Sequence, residues 1–456
     1  MERAINAIRR IWSAHDLRNR ILWTLGLVLI YQLCTHIPVP GADLAVVQTV
    51  KNSGSGNGGL LGVLNFLSGG SLARFSVLAM GVQPYITAQI ILQLLTPIIP
   101  ALQRKVEDDP REGRKFIERW TMYLSIPMGL LAAYGQIQLF QQVATQNNLG
   151  TILPNFGFAG ANLLPTVATL LAMTAGTMFA IWLGELISEN GIRNQGLSLI
   201  IFAGIVNDLP GRVYQMWTDQ NLRYILIGLF LVLLIVAIYA VIYVTQGRRN
   251  IVVMYPGRRM GFRQSMPVKG TLPLMVNMAG MIPIIFSSAL LSFPAIIGSW
   301  FLNQGNALSS FGQLLVDTFS KSSSWSYMVI TFVMVVAFTY FYTSVLFDQQ
   351  NQGEQLKRVG ARVPGVTPGP ATQRYLSRVQ SRITLPGALL LGIIAVLPML
   401  VGKLIEVFSG APSNASSAFL SLGSGLIIVV GVVRDTFLSF DTELKLRGYD
   451  ESLLVR

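Results

Sequence analysis

The side chains best able to do covalent or metal chemistry are scarce in this chain. There are two histidines, His15 and His36, and one cysteine, Cys34. A single cysteine excludes an internal disulfide and a thiolate metal cluster, and two histidines do not make a histidine-rich site. No glycine-rich phosphate cradle, HExxH zinc motif or GxSxG nucleophile turn occurs. The expectation is therefore no enzyme, no metal and no cofactor. What remains are amides and hydroxyls embedded in apolar runs: Gln83, Thr87, Gln89, Gln93, Thr174 and Asn277. Such groups hydrogen-bond, and little else.

The elements that carry them are apolar. Of 456 residues, 52% are hydrophobic and only 12% charged, against about 25% charged in a soluble domain. This composition predicts an all-α multi-pass membrane protein. The stretch Leu60–Pro100 organises the rest. It is too long for a single crossing, for which about 20 residues suffice, and Ser68-Gly69-Gly70-Ser71 breaks it. Glycine pairs end helices. The reading is a short apolar helix, a hinge, and a longer helix from about Phe75. Interrupted backbone at membrane depth is tolerated where protein buries it or where it lines a cavity, so a half-inserted element beside a cavity is expected.

Ten spans are predicted: Ile21–Ile37, Phe75–Pro97, Trp120–Gln142, Leu163–Gly184, Gly196–Asn207, Tyr224–Val244, Leu272–Ile297, Trp325–Phe347, Ile383–Gly402 and Ala411–Val433. Ahead of them, Met1–Arg20 is basic, and Ile5, Ile8, Ile11 and Trp12 share a helical face. It reads either as an interfacial helix or as a solvated leader. With these spans, 28 of the 34 lysines and arginines fall on the side of the N-terminus and 6 on the other. A span missed or invented mid-chain would destroy that bias, so both termini are placed in the cytoplasm. Two five-span halves, 21–210 and 211–433, then run in opposite senses, which fits an inverted repeat with its site between the halves. A tail, 434–456, follows.

Two cytoplasmic loops stand out. Thr245–Thr271 holds the β-favouring run Ile251–Tyr255 between basic residues, and Asp348–Arg382 has a turn-forming centre, Val363–Pro370. Long loops of this kind are more often functional than idle, and these read as docking surfaces for an anionic or acidic partner. None of the ten spans contains Asp, Glu, Lys or Arg. Ion-coupled transporters keep ionisable groups in the membrane. An uncharged interior leaves a pore closed by apolar side chains, or a scaffold offering an apolar groove to other helices.

Several long motifs resemble the SecY family, the central channel subunits of the bacterial protein translocase. They are IPVPG at Ile37–Gly41, NFLSGGSLARFSVLAMGVQPYITAQIILQLL at Asn65–Leu95, GTMFAIWLGELISENGI at Gly176–Ile192, GLSLIIFAGIV at Gly196–Val206, PLMVNMAGMIPIIFSSALLSFP at Pro273–Pro294 and VPGVTPG at Val363–Gly369. The resemblance implies ten helices in two inverted halves around a central pore in the bacterial inner membrane. It implies a plug at 60–71 with Leu60, Leu64, Phe66, Leu67, Ser68, Gly69 and Gly70. It implies an aliphatic pore ring of Val82, Ile86, Leu197, Ile201, Ile285 and Ile428. A lateral gate would carry Thr87, Gln93 and Asn277. Docking positions would be Arg249, Arg258, Lys357, Arg358, Pro364, Gly365, Pro368 and Gly369. Implied partners are the SecE and SecG membrane subunits, the SecA motor ATPase, a ribosome, signal-bearing polypeptides and the lipid bilayer. Thr367 stands where the family usually has arginine. The function so implied is a passive conduit for unfolded polypeptides that also releases apolar segments into lipid. A small-solute secondary transporter with inverted repeats remains the alternative.

Overall fold

The structure is a computed structural model. It describes residues 15–52, 75–108, 110–146, 150–157, 160–192, 195–218, 223–256, 259–260, 263–264, 268–278, 280, 282–301, 307–320, 324–409, 425, 428–440 and 442–443. The expected plug residues, Arg258, most of Met1–Arg20 and most of the span Ala411–Val433 lie outside these.

The first half contains α1 (His15–Cys34), α2 (Leu44–Asn52), α3 (Gln83–Ile98), α4 (Pro100–Asp108), α5 (Pro110–Gln146), α6 (Leu163–Asn190) and α7 (Gly196–Thr218). The second opens with α8 (Arg223–Gln246) and four strands, β1 (Arg248–Tyr255), β2 (Arg259–Met260), β3 (Arg263–Gln264) and β4 (Val268–Met275). It continues with α9 (Ile282–Phe301), α10 (Ala307–Ser320), α11 (Trp325–Gln350), α12 (Gln352–Arg358) and α13 (Pro370–Ser409). A last helix, α14, covers 428–440. Among the described residues, α6, α7, α8, α11 and α13 are long and apolar enough to cross a membrane, and Ile282–Gly298 is a shorter apolar helix.

Two expected spans begin later than predicted. The helix expected from about Phe75 starts at Gln83. Residues 75–82 form tight turns, with positive φ at Phe75 (46°) and Gly81 (52°). Pro84 sits in the first turn of α3. Proline has no N–H to give a preceding turn and its ring clashes with the carbonyl four residues back, so a helix starts there readily and does not extend upstream. The IPVPG segment supplies the missing partners: Val39 N donates to Phe75 O at 3.1 Å and Val77 N to Ile37 O at 3.0 Å.

The span expected over Leu272–Ile297 is likewise a strand, a linker and then a helix. Residues through Met275 pair with β1, Gly280 has φ +63°, and α9 begins at Ile282, next to Pro283. An apolar run does not by itself separate strand from helix. Conversely, the short fifth span is extended, since α7 runs on through Pro210 to Thr218.

The largest apolar cluster joins the halves. It includes Leu183 and Ile187 of α6, Ile200 and Ile205 of α7, Val241 and Val244 of α8, Ala289 of α9, Val335 and Phe338 of α11, and Leu391 and Ile394 of α13. Among the described residues, the buried polar side chains other than tyrosine are Thr, Ser, Gln and Asn, and none of the buried side chains is Asp, Glu, His, Lys or Arg.

Candidate functional site

The six aliphatic positions come from four elements. Val82 caps α3 and Ile86 lies one turn into it; Leu197 and Ile201 lie one turn apart at the start of α7. Ile285 is in the first turns of α9, and Ile428 lies in α14. Five belong to the central cluster, exposed by 0% (Val82), 4% (Ile86), 3% (Ile201), 6% (Ile285) and 3% (Ile428). Leu197 is half-buried and packs against that cluster.

The α6–α7 turn explains how two of them get there. Gly196 N donates to Ser188 Oγ at 3.1 Å. A Cβ on Gly196 would lie 1.8 Å from the Gly184 carbonyl oxygen. Only glycine allows this approach, and it brings Leu197 directly over Gly184, where a Cβ would meet Leu197 Cδ2 at 2.8 Å.

Beside this cluster, α3, α5 and α9 pack on one another. Thr87 is buried, and its hydroxyl donates to Gln83 O at 3.1 Å within α3. Gln93 is half-buried with no protein partner for Oε1. Asn277 is buried, and its Nδ2 donates to Gly280 O at 2.8 Å in the linker ahead of α9. A bond that crosses from the first half to the second is Gln83 Nε2 to Ser292 Oγ, 2.6 Å and fully buried. Gln83 stood out in the sequence as an amide in an apolar run. Ser292 did not, because serines are common in apolar helices and nothing local marks its partner. Gln83 Oε1 and both polar atoms of Gln136 on α5 are also buried without a protein partner.

The two predicted docking loops form one body. β1 and β4 pair antiparallel from Arg248↔Met275 to Tyr255↔Val268. The outer edge of β1 is bonded to the second loop, with Met254 N to Arg362 O at 2.8 Å and Arg362 N to Met254 O at 2.9 Å. Underneath, Ile251, Val253, Leu274, Phe347, Leu356, Ala361, Val363 and Leu376 make a small core. Arg249, Lys357, Arg358, Pro364, Gly365 and Pro368 are exposed on it, whereas Gly369 is buried. Gly365 (φ +80°) and Gly369 (φ +99°) hold left-handed backbone. Thr372 Oγ1 donates to Thr367 O at 2.8 Å, pinning the turn where the family usually has arginine.

Below the last apolar span, Arg434 and Asp435 of α14 form an ion pair at 3.2 Å. Burial pushes the Asp435 carboxyl up and the Arg434 guanidinium down, each opposed by the other's charge.

The SecY family profile matches residues 76–437, most of the chain. The chain belongs to the SecY family. Relatives include the protein translocase subunit SecY of Streptomyces coelicolor, 34% identical over 451 residues and covering 98% of this chain and 99% of the relative. The same subunit of Vibrio cholerae is 33% identical over 444 residues, covering 96% and 94%. Among solved structures, one described as a protein-conducting channel superposes with a TM-score of 0.59 at 17% identity, covering 96% of this chain and 93% of that one. Sec61 in a canine ribosome–channel complex gives 0.55 at 16% identity, covering 96% and 93%. The fold is that of the SecY/Sec61 channels, and SecY-family membership makes this a multi-pass membrane protein.

Proposed function

We propose that this chain is a protein-conducting channel. It passes unfolded secretory polypeptides across the membrane and releases transmembrane segments sideways into lipid. The observation that carries this reading is the convergence of six aliphatic side chains from both halves on one cluster whose buried polar neighbours hold no charge. Aliphatic contacts are non-directional, so such a collar closes around any extended chain and excludes water when empty. Burying one such side chain contributes about 1.5–3 kcal/mol. An exposed ion pair contributes about 0–1 kcal/mol. The collar, not the surface charge, therefore dominates closure.

In this reading Leu60, Leu64, Phe66, Leu67, Ser68, Gly69 and Gly70 belong to the plug that stops the external side. The lateral exit opens between α3 and α5 on one side and α9 and α11 on the other, with Thr87, Gln93 and Asn277 along it. Energy comes from outside, from the SecA motor ATPase or a ribosome seated on the basic platform. SecE and SecG complete the complex in the bacterial inner membrane, with both termini cytoplasmic. The secondary-transporter reading has no fully buried Asp, Glu, His, Lys or Arg among the described residues to couple to an ion.

The test is Ile86→Asn and Ile285→Asn in reconstituted channels. Each is expected to raise resting ion conductance and to relax signal-sequence requirements. Unchanged conductance and unchanged export in both would overturn the ring assignment.

A further inference from the structure

The segment that joins the docking hairpin to α9 is short, running from Met275 at the end of β4 to Ile282, and it is held from several sides. Val276 N donates to Gly247 O at 2.8 Å, just past α8. Gln380 Nε2 of α13 donates to Met275 O at 2.9 Å. A Cβ on Gly387 of α13 would lie 2.5 Å from Val276 Cγ1. Those holds act on the hairpin end of the linker. At the α9 end the neighbour is α14. Gly280, with φ +63°, presents the place of its missing Cβ 3.4 Å from Asp435 Oδ2. Asp435 is oriented in turn by Arg434, whose Nη1 lies 3.2 Å from Oδ1 and whose Nη2 donates to Thr245 O of α8 at 3.3 Å. A guanidinium on the last carbonyls of a helix is favoured by the helix dipole as well as by the hydrogen bond, so this anchor is stiff.

We infer that Arg434 and Asp435 are positioning residues that fix where α9 begins, and through it the place of Ile285 in the ring. The path runs from the α8 terminus through the bonds of Arg434 to Thr245 and Asp435, then to the neighbouring Gly280, whose absent Cβ would sit at van der Waals distance from the carboxylate, and Ile285 follows five residues on. The inference rests on the pore-ring reading only for its effect on conductance; the position of Ile285 is tested separately.

The experiment uses the full chain with its cysteine removed (Cys34→Ser) and a reporter thiol at Ile285→Cys, reconstituted in vesicles. Ile285 is 6% exposed, so labelling by a membrane-impermeant maleimide is expected to be slow. Adding Asp435→Asn should accelerate labelling at least threefold, while Asp435→Glu keeps the slow rate. Gly280→Ala, which puts a methyl group against the carboxylate, should accelerate it as well and decides the matter if Asp435→Asn does not accumulate. Labelling unchanged in Asp435→Asn, or in Gly280→Ala where that variant decides, overturns the inference. On the native Ile285 background Asp435→Asn should raise resting conductance, compared with Ile285→Asn. If Ile285→Asn leaks and Asp435→Asn does not, the positioning role fails; if labelling accelerates but neither variant leaks, the ring reading fails and the positioning role stands.

Discussion

The seam between the two halves and the basic platform are built from opposite kinds of contact. Around the central cluster, surfaces meet through aliphatic side chains, with a buried side-chain bond, Gln83 to Ser292, crossing between the halves. On the platform, the first loop folds on a strand ladder of its own, a pair of backbone bonds between Met254 and Arg362 ties it to the second loop, and glycines there hold left-handed backbone. Apolar contacts slide and re-form at little cost, whereas a ladder of directional bonds breaks all at once. The seam is thus suited to opening and resealing, and the platform to keeping one shape under load.

The largest expected effect tests whether the seam has any rigid part. At Gly196→Val the new side chain has no room beside the Gly184 carbonyl and Ser188, and overpacking costs about 1–3 kcal/mol or more. Membrane accumulation and the melting midpoint in detergent should both fall sharply; a normal midpoint would mean that the α6–α7 turn yields as freely as the ring.

A smaller effect sharpens the polar exception in the seam. Ser292→Ala strands the Gln83 amide, at about 1–3 kcal/mol, whereas Gln83→Leu with Ser292→Ala removes both partners and is close to neutral. Thermal stability should therefore drop in the single variant and recover in the double. Equal losses would show that the bond is not paired as described.

On the platform, Gly365→Ala meets no atom within 4 Å yet must keep φ +80°, which costs about 1–2 kcal/mol. Proteolysis of the 363–370 turn should speed up while resting conductance stays at the parental value. A conductance change would couple the two regions more tightly than their contacts imply. The smallest effect belongs to Arg20→Ala, which removes the partly buried pair with Glu443 and should lower stability by about 1 kcal/mol, read as a small drop in the melting midpoint.

Much of this was legible in the sequence. Apolar length marked most of the long helices, the β-favouring run Ile251–Tyr255 lies inside β1, and Val363–Pro370 is a turn. What misled was apolarity without periodicity. Residues 75–82 and 272–281 are as greasy as a span, yet Pro84, Gly81, Pro283 and Gly280 end the helix before it reaches them. The two loops were each marked as docking surfaces, but nothing in either announced that Met254 would bond Arg362.

The sequence by itself determined that this is a membrane protein and set its expected sidedness. Transfer free energies and the placement of Lys and Arg are properties of residues and short segments, and they add along the chain. Only the tertiary structure decided which aliphatic side chains converge and that Gln83 meets Ser292, 209 residues away. Such meetings depend on helix rotation and on a close approach such as Gly196 against Gly184. No local pattern encodes them, because many pairings of equally apolar surfaces have nearly the same hydrophobic free energy until packing separates them.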